Sequence, residues 1–225
     1  YHWRAEDGVR RPMPMHGLAR QGKFRPIRLD DRGFSALFLP DAAAQAAYPY
    51  DYEFVVSYRF EALSIFVELQ LTNLGCTPMP WSAGHHFYFT LPWSVGRTRQ
   101  DYSLETSATK YLQRDERGGL YPAPRVSAQE NLANKNLIDL IHTDLRHDTF
   151  TVTERPSGSQ LLFRSGMTNE PARELAVVTW TQDENSPYYC IEPWMGPPNA
   201  PENKVGVHRV APGQTQKFYV EIKIT

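Results

Sequence analysis

The sequence lacks the motifs that mark most disulfide, metal, nucleotide and nucleophile sites. Its 225 residues include two cysteines, Cys76 and Cys190, which are too few for a disulfide framework and have no metal-ligand spacing. The chain contains no HExxH or CxxC motif, no phosphate-binding loop, no dinucleotide fingerprint and no GxSxG motif. We therefore expect no dedicated metal site and no cofactor.

An excess of charge of either sign is also absent. The chain has 24 basic and 25 acidic residues, a formal net charge of −1, which gives no reason to expect nucleic acid or an anionic membrane as a partner. No apolar run approaches the roughly 20 residues that a membrane-spanning helix needs. The small number of cysteines favours a reducing, cytoplasmic compartment. We expect a small molecule as the ligand, and the sequence does not indicate an oligomeric state.

The hydrophobic pattern that is present has a period of two residues, which is typical of β-strands. It predicts strands at 53–60 and 63–71, joined as a hairpin, and a cleanly alternating strand at 217–224. Shorter strands are predicted at 87–89, 150–152, 161–163, 175–180 and 188–191. Only residues 41–47 suggest a helix, and the 18 prolines argue against long helices. The pattern predicts an all-β protein, one large antiparallel β-sandwich domain over residues 1–225.

Two strand segments carry ionisable groups among aromatic residues. Alternation along residues 84–89 places His86 and Tyr88 on one face of a strand and His85 on the other. Because His85 and His86 point to opposite faces, they are poorly placed to chelate one ion. Glu192 ends an apolar strand, and we expect Pro193 to end the ladder there. Both groups have a structural alternative, as a hydrogen-bonded histidine and a paired carboxylate, and proton transfer is the chemistry that they would support.

Four blocks in order resemble the aldose 1-epimerase (galactose mutarotase-like) family. They are PMHGLAR at 14–20, TNLG at 72–75, GHHFYF at 84–89 and CIEPW at 190–194. The pattern is closest to the bacterial branch with HGxAR and EPW signatures, near the hexose-6-phosphate mutarotases. The resemblance implies a β-supersandwich fold and no cofactor. Members usually carry several dozen residues ahead of the HGxAR block, whereas fifteen residues precede His16 here, so we expect the domain to lack the usual N-terminal strands.

The resemblance also implies roles for individual residues. His86 corresponds to the family's general acid and Glu192 to its general base. His16 and Arg20 correspond to positions that hold sugar hydroxyls or, in the phosphorylated-sugar branch, an anionic group. The segment around Asp139 fits the position of a further substrate-binding aspartate.

Several assignments stay open on the sequence alone. Asp144 and Asp148 compete with Asp139 for the aspartate position. The implied activity is the interconversion of the α and β anomers of a free hexose. The alternatives are a hexose-6-phosphate mutarotase, for which Arg20, Lys23 and Arg25 supply cations, a carbohydrate-binding sandwich without turnover, and a purely structural sandwich.

Overall fold

A computed structural model describes residues 2–5, 7–167 and 174–225 of the chain. Helical structure is confined to short segments in this part of the chain: α1 (Ala42–Ala47), α2 (Ala200–Asn203) and 3-10 turns at Ala19–Gln21, Arg99–Asp101 and Lys135–Leu137. The described strands, numbered along the chain, are β1 (His2–Arg4), β2 (Arg10–Pro12), β3 (Lys23–Asp30), β4 (Gly33–Leu39), β5 (Tyr52–Glu61), β6 (Ser64–Asn73), β7 (Met79–Trp81), β8 (Phe87–Thr90), β9 (Tyr102–Glu105), β10 (Ala108–Arg114), β11 (Leu120–Pro122), β12 (Gln129–Asn131), β13 (Leu140–Leu145), β14 (Thr149–Glu154), β15 (Gln160–Met167), β16 (Ala176–Trp180), β17 (Tyr188–Trp194), β18 (His208–Val210) and β19 (Thr215–Ile224).

Two large antiparallel sheets form the body of the protein. One has nine strands in the order β12-β9-β14-β15-β19-β6-β5-β4-β3, and the other has six in the order β11-β10-β13-β16-β17-β8. Two small two-stranded antiparallel sheets, β1-β2 and β18-β7, are also present. The prediction of an all-β antiparallel sandwich is confirmed. The predicted hairpin is also present, because β5 pairs with β6 from Tyr52 opposite Asn73 to Glu61 opposite Ser64.

The predicted helix is present, and it is short and capped by Asp41. The side chain of Asp41 accepts a hydrogen bond of 2.8 Å from the backbone of Ala44 at the start of α1. An aspartate in this position satisfies an amide that would otherwise have no partner in the first turn. The helix ends after six residues, and the chain continues through Tyr48 and Tyr50 into β5.

The expectation that Pro193 ends the ladder was wrong. Strand β17 continues through Pro193, which lies opposite Val177, to Trp194. In an antiparallel ladder a residue points its N–H and C=O to the same neighbour. The Pro193 carbonyl accepts from His85 N at 3.0 Å, so the missing proline donor faces that side. The hydrogen bonds to β16 are therefore left to the flanking residues.

The six-stranded sheet has one face in the core and one face that carries a second, smaller apolar cluster. Tyr189 and Ile191 of β17 belong to the main core between the sheets. Phe89 of β8 meets Phe163 of the nine-stranded sheet there, with ring centroids 5.3 Å apart. Ile141 and residues beside it form the smaller cluster on the opposite face. Alternation along β8 and β17 therefore sends every second side chain away from the core.

No helix within the described residues has both the length and the apolar character needed to cross a bilayer.

Candidate active site

The face of the six-stranded sheet that points away from the main core brings His86 and Glu192 together. Phe87 of β8 lies opposite Ile191 of β17, so the next residues outward, His86 and Glu192, are cross-strand neighbours. His86 Nε2 lies 3.1 Å from Glu192 Oε1. The other carboxylate oxygen accepts a hydrogen bond of 3.2 Å from Trp194 Nε1. Only 3% of Glu192 is exposed, so these two contacts supply much of its polar environment.

Burial disfavours the charged forms of both groups. It raises the pKa of Glu192 to about 7, with the Trp194 hydrogen bond and the Arg114 charge opposing the shift. Burial, together with positive charge from neighbours that include Arg20, lowers the pKa of His86 to about 4. Between those two values the pair holds one proton, and the order of the pKa values places it on Glu192. A pair that holds one proton contains one proton donor and one proton acceptor, which is what general acid–base catalysis uses.

His16 closes one side of the site from a tight turn. Gly17 N donates to Pro14 O at 3.0 Å, and His16 has a left-handed backbone with φ of 65°. The His16 ring packs edge-on against His86, with centroids 5.2 Å apart, and stacks on Trp194 at 5.9 Å. A bulky residue adopts positive φ only where its surroundings hold it there. The turn therefore fixes the imidazole over the pair.

Arg20 lies on the 3-10 turn that follows this loop. Its side chain is exposed, and its positive charge is near enough to lower the pKa of His16, after burial as the main cause, and that of His86. The structure thus places Arg20 as a cation at the rim of the site.

Asp139 and Arg114 form an ion pair beside the central pair. Arg114 donates to both oxygens of Asp139, from Nε at 3.1 Å and from Nη2 at 2.9 Å. Asp139 has φ of 56°. Its negative charge is close enough to raise the pKa of Glu192, as a lesser cause than burial. A two-pronged contact of this kind fixes the direction of both side chains.

The two competing aspartates have other partners. Asp144 accepts from Thr109 Oγ1 at 2.7 Å and lies 3.5 Å from Lys110 Nζ. Asp148 pairs with Arg164, a residue of the nine-stranded sheet, at 2.9 Å. The charge of Asp139 acts on Glu192, which favours Asp139 for the aspartate position.

Aromatic rings extend the site along the same face. Tyr88 stacks on His86 with centroids 4.9 Å apart, and 58% of Tyr88 is exposed. Tyr188 lies 5.2 Å from Tyr88, and Trp180 lies 6.1 Å from His86. Such ring faces are suited to pack against the apolar C–H faces of a sugar.

His85 points to the core side, as the alternation predicted. Its ring stacks on Phe87 at 3.7 Å, and its Nε2 lies 2.6 Å from the hydroxyl of Tyr58 on β5. Burial lowers the pKa of His85 to about 4. The contact with Tyr58 ties the segment that bears His86 to the nine-stranded sheet.

Gly84 allows the backbone ahead of β8 to approach Trp194. The two residues form an isolated β-bridge. A Cβ atom on Gly84 would overlap the six-membered ring of the indole and lie 2.8 Å from its Cγ. The absence of a side chain is therefore needed for the contact that holds Trp194 beside Glu192.

Sequence reasoning did not single out Arg114, Trp180 or Cys190 as site residues. Arg114 and Trp180 lie on strands that reach the site through the sheet order, which the sequence does not reveal. Cys190 lies two residues before Glu192 on β17, so alternation along that strand could have placed it on the same face. One potential ligand atom from each of His86, Cys190 and Glu192 lies within 4.8 Å of the other two. The expectation of no metal site rested on the absence of metal-binding motifs and on the opposed His85 and His86, and it did not consider this cross-strand set.

Comparison with known sequences gives a match along nearly the full chain. The sequence profile described as aldose 1-epimerase matches residues 1–223. Two relatives from Lactococcus lactis subsp. lactis, the chromosomal and plasmid forms of protein LacX, are each 29% identical to the chain. Each alignment covers 93% of this chain and 74% of the relative.

Solved structures share the fold. A galactose mutarotase related enzyme from Lactobacillus acidophilus superimposes with a TM-score of 0.82 at 20% identity, covering 100% of this chain and 78% of that one. A galactose mutarotase-like protein from Lactobacillus casei superimposes with a TM-score of 0.77 at 18% identity, covering 100% and 80%. At these identities the similarity establishes the galactose mutarotase-like fold.

Proposed function

The chain belongs to the aldose 1-epimerase family, and on that premise we propose that it interconverts the α and β anomers of a hexose by acid–base ring opening. The observation that carries the proposal is the His86–Glu192 pair, whose facing atoms are 3.1 Å apart and whose imidazole stacks on the ring of Tyr88. A protein that only binds sugar has no need for a buried carboxylate held against an imidazole, because burying a carboxylate is unfavourable unless it is paired or used.

The proposed chemistry moves two protons and no electrons. The proton that burial favours on Glu192 first passes to His86 across their 3.1 Å contact. Glu192, now the carboxylate, takes the proton from the anomeric hydroxyl, while His86, now the imidazolium, gives its proton to the ring oxygen. The bond from C1 to the ring oxygen breaks, and the aldehyde rotates about C1–C2. Closure on the opposite face reverses both transfers and restores the pair. The reaction needs no cofactor for its balance.

The surrounding residues have proposed roles in binding. His16 and the Asp139–Arg114 ion pair offer donors and acceptors for ring hydroxyls from two sides of the pair. Trp194 holds the Glu192 carboxylate in place through its indole N–H. Arg20 places a positive charge at the rim, where a substrate with a phosphate on C6 would benefit from it. A hexose 6-phosphate is therefore the second candidate substrate.

The test is the rate of mutarotation of freshly dissolved α-D-glucose, α-D-galactose and glucose 6-phosphate, with the last followed by NMR exchange. We expect acceleration by the wild-type chain and a loss of about 10²–10⁴-fold in the Glu192→Gln variant, the typical contribution of one positioned acid or base. Glu154→Gln is the matched control, because Glu154 is also buried but bonds Tyr102 in the nine-stranded sheet.

The substrates and the alternatives separate in the same experiment. A preference for glucose 6-phosphate over both free sugars assigns the phosphorylated branch. Saturable sugar binding by folded protein, with no acceleration for any of the three sugars, refutes the proposed activity and indicates a binding module.

A further inference from the structure

Cys190 lies in the site but has no role in the proposed proton transfers. It is fully buried on β17, two residues before Glu192, and side chains two apart on a strand share a face. Its cross-strand neighbours on that face are Tyr88 of β8 and Trp180 of β16. The thiol therefore lies behind the central pair, covered by aromatic rings.

The spacing of three side chains suits a small metal ion. Ligand atoms of His86, Cys190 and Glu192 all lie within 4.8 Å of one another, and His86 Nε2 to Glu192 Oε1 is 3.1 Å. Tetrahedral zinc with bonds of about 2.0–2.3 Å holds its ligand atoms about 3.3–3.8 Å apart. The widest separation therefore has to close by about 1 Å, which side-chain rotation can supply.

The His86 ring is not held by a hydrogen bond at its other nitrogen. His86 Nδ1 is buried and has no hydrogen-bond partner among the described residues. The tautomer is then free to place a lone pair on Nε2, the nitrogen that faces Glu192. Neutral imidazole with a free lone pair is the form that binds a metal.

The ligand types select the class of cation. One thiolate and one carboxylate balance the charge of a divalent ion, and Asp139 already neutralises the neighbouring Arg114. Sulfur and imidazole ligands favour zinc and cadmium, whereas magnesium and calcium prefer sites built from oxygen. Three protein ligands with a fourth position open to solvent or substrate is a familiar zinc arrangement.

We propose that His86, Cys190 and Glu192 form a site for a thiophilic divalent cation such as Zn²⁺, and that its occupancy reversibly blocks the acid–base pair. On binding, the thiol proton and the proton shared by the pair leave to solvent, and no electrons are transferred. The ion is then coordinated by the lone pairs of His86 and Glu192, so these atoms cannot accept or donate the protons that ring opening requires. The inhibitory part rests on the proposed function, but the binding part does not.

Binding is tested directly by titrating the metal-free chain with Cd²⁺ and Zn²⁺, using calorimetry for both and the ultraviolet cadmium–thiolate absorption for the first. We expect one ion per chain, and no comparable binding of Mg²⁺. Cys190→Ser weakens binding at least about tenfold, since even loss of a residue that supports a ligand has an effect of this size. Cys76→Ser is the matched control, because Cys76 is exposed, and it leaves the titration unchanged.

The outcomes that overturn the site are specific. Absence of the thiolate absorption in the wild type, or an equal absorption in Cys190→Ser, removes Cys190 as a ligand. If circular dichroism shows that Cys190→Ser is unfolded, the titration is repeated with Cys190→Ala, which avoids a buried hydroxyl group. His86→Asn tests the second ligand in the same titration.

Inhibition is measured separately, as the rate of mutarotation with added Zn²⁺ and its recovery after EDTA. The rate of each variant is compared with its own metal-free rate. Stoichiometric binding without loss of rate overturns the blocking role alone. A wild-type chain with no mutarotase activity refutes the proposed function, and the cadmium titration still decides whether the site exists.

Discussion

Replacing Gly84 with alanine tests whether backbone packing outside the chemistry sets the position of Glu192. The added methyl group would overlap the indole of Trp194, including a contact of 2.8 Å to Cγ. Carbon atoms pack at about 3.5–4.0 Å, so the ring has to retreat by more than about 1 Å. The same ring donates to Glu192 and stacks on His16. Its retreat therefore moves both sides of the site.

The magnitude follows from the displacement. A misplacement of about 1 Å in an active site lowers the rate by about 10²-fold, so we expect a loss of that order in kcat for mutarotation. Overpacking also lowers the free energy of unfolding by roughly 1–3 kcal/mol. Circular dichroism and a urea titration have to establish that Gly84→Ala is folded at the assay temperature before the rates are compared.

Two further variants separate the possible causes. Gly75→Ala is a control for the loss of a glycine, because a Cβ there meets its nearest neighbour, Asn73 Oδ1, at 3.4 Å. Trp194→Phe keeps a ring but removes the donor to Glu192, so it measures the hydrogen bond without the displacement. A folded Gly84→Ala variant with the wild-type rate would refute the argument that this contact positions Glu192.

Three other predictions follow from buried or paired side chains. Burial lowers the pKa of His142 from 6.5 to about 3, so between these values the unfolded chain binds more protons than the folded chain. The free energy of unfolding therefore falls as the pH drops from about 6.5 towards 3. Urea titrations at pH 7 and pH 5 should show this fall in the wild type and a smaller fall in His142→Gln. Asp139→Asn weakens the ion pair with Arg114 and should lower kcat/KM about ten- to a hundredfold, which corresponds to the free energy of one hydrogen bond to a charged group. An unchanged or higher kcat/KM argues against a role of Asp139 in the site. Phe163→Ala empties a fully buried position and should lower the free energy of unfolding by about 3–5 kcal/mol, and a loss below 1 kcal/mol in denaturant titrations contradicts the packing described.

The sequence predicted those parts of the fold whose physical cause is local. Alternation predicted the β5–β6 hairpin, and the alanine-rich run at 41–47 predicted α1. The pattern failed at Pro193, because the sequence does not show which neighbouring strand the missing donor faces. A proline ends a ladder only on the side that its nitrogen faces.

The candidate site could be predicted only where a motif carried it. His86, Glu192 and His16 were singled out from short blocks, and the structure places them side by side. Arg114 lies on β10, and its proximity to the pair depends on the sheet order β10-β13-β16-β17-β8. That order arises from connections between strands that are distant in the chain, and hydrophobic period does not encode it. The pairing of Asp139 with Arg114 was missed for the same reason.

The folding chain has to align the alternating segment from His85 to Phe89 correctly with its neighbouring strand. A strand that slips by one residue exchanges its two faces. A slip in one direction would replace His86 with His85 and Tyr88 with Phe87, and a slip in the other would replace them with Phe87 and Phe89. The two arrangements are similar in size and aromatic character, so side-chain polarity alone discriminates weakly between the correct and the slipped alignment. Gly84 discriminates strongly, since a slip would bring a residue with a side chain against Trp194. A residue with no chemistry of its own thus selects which histidine lies beside Glu192 in the finished protein.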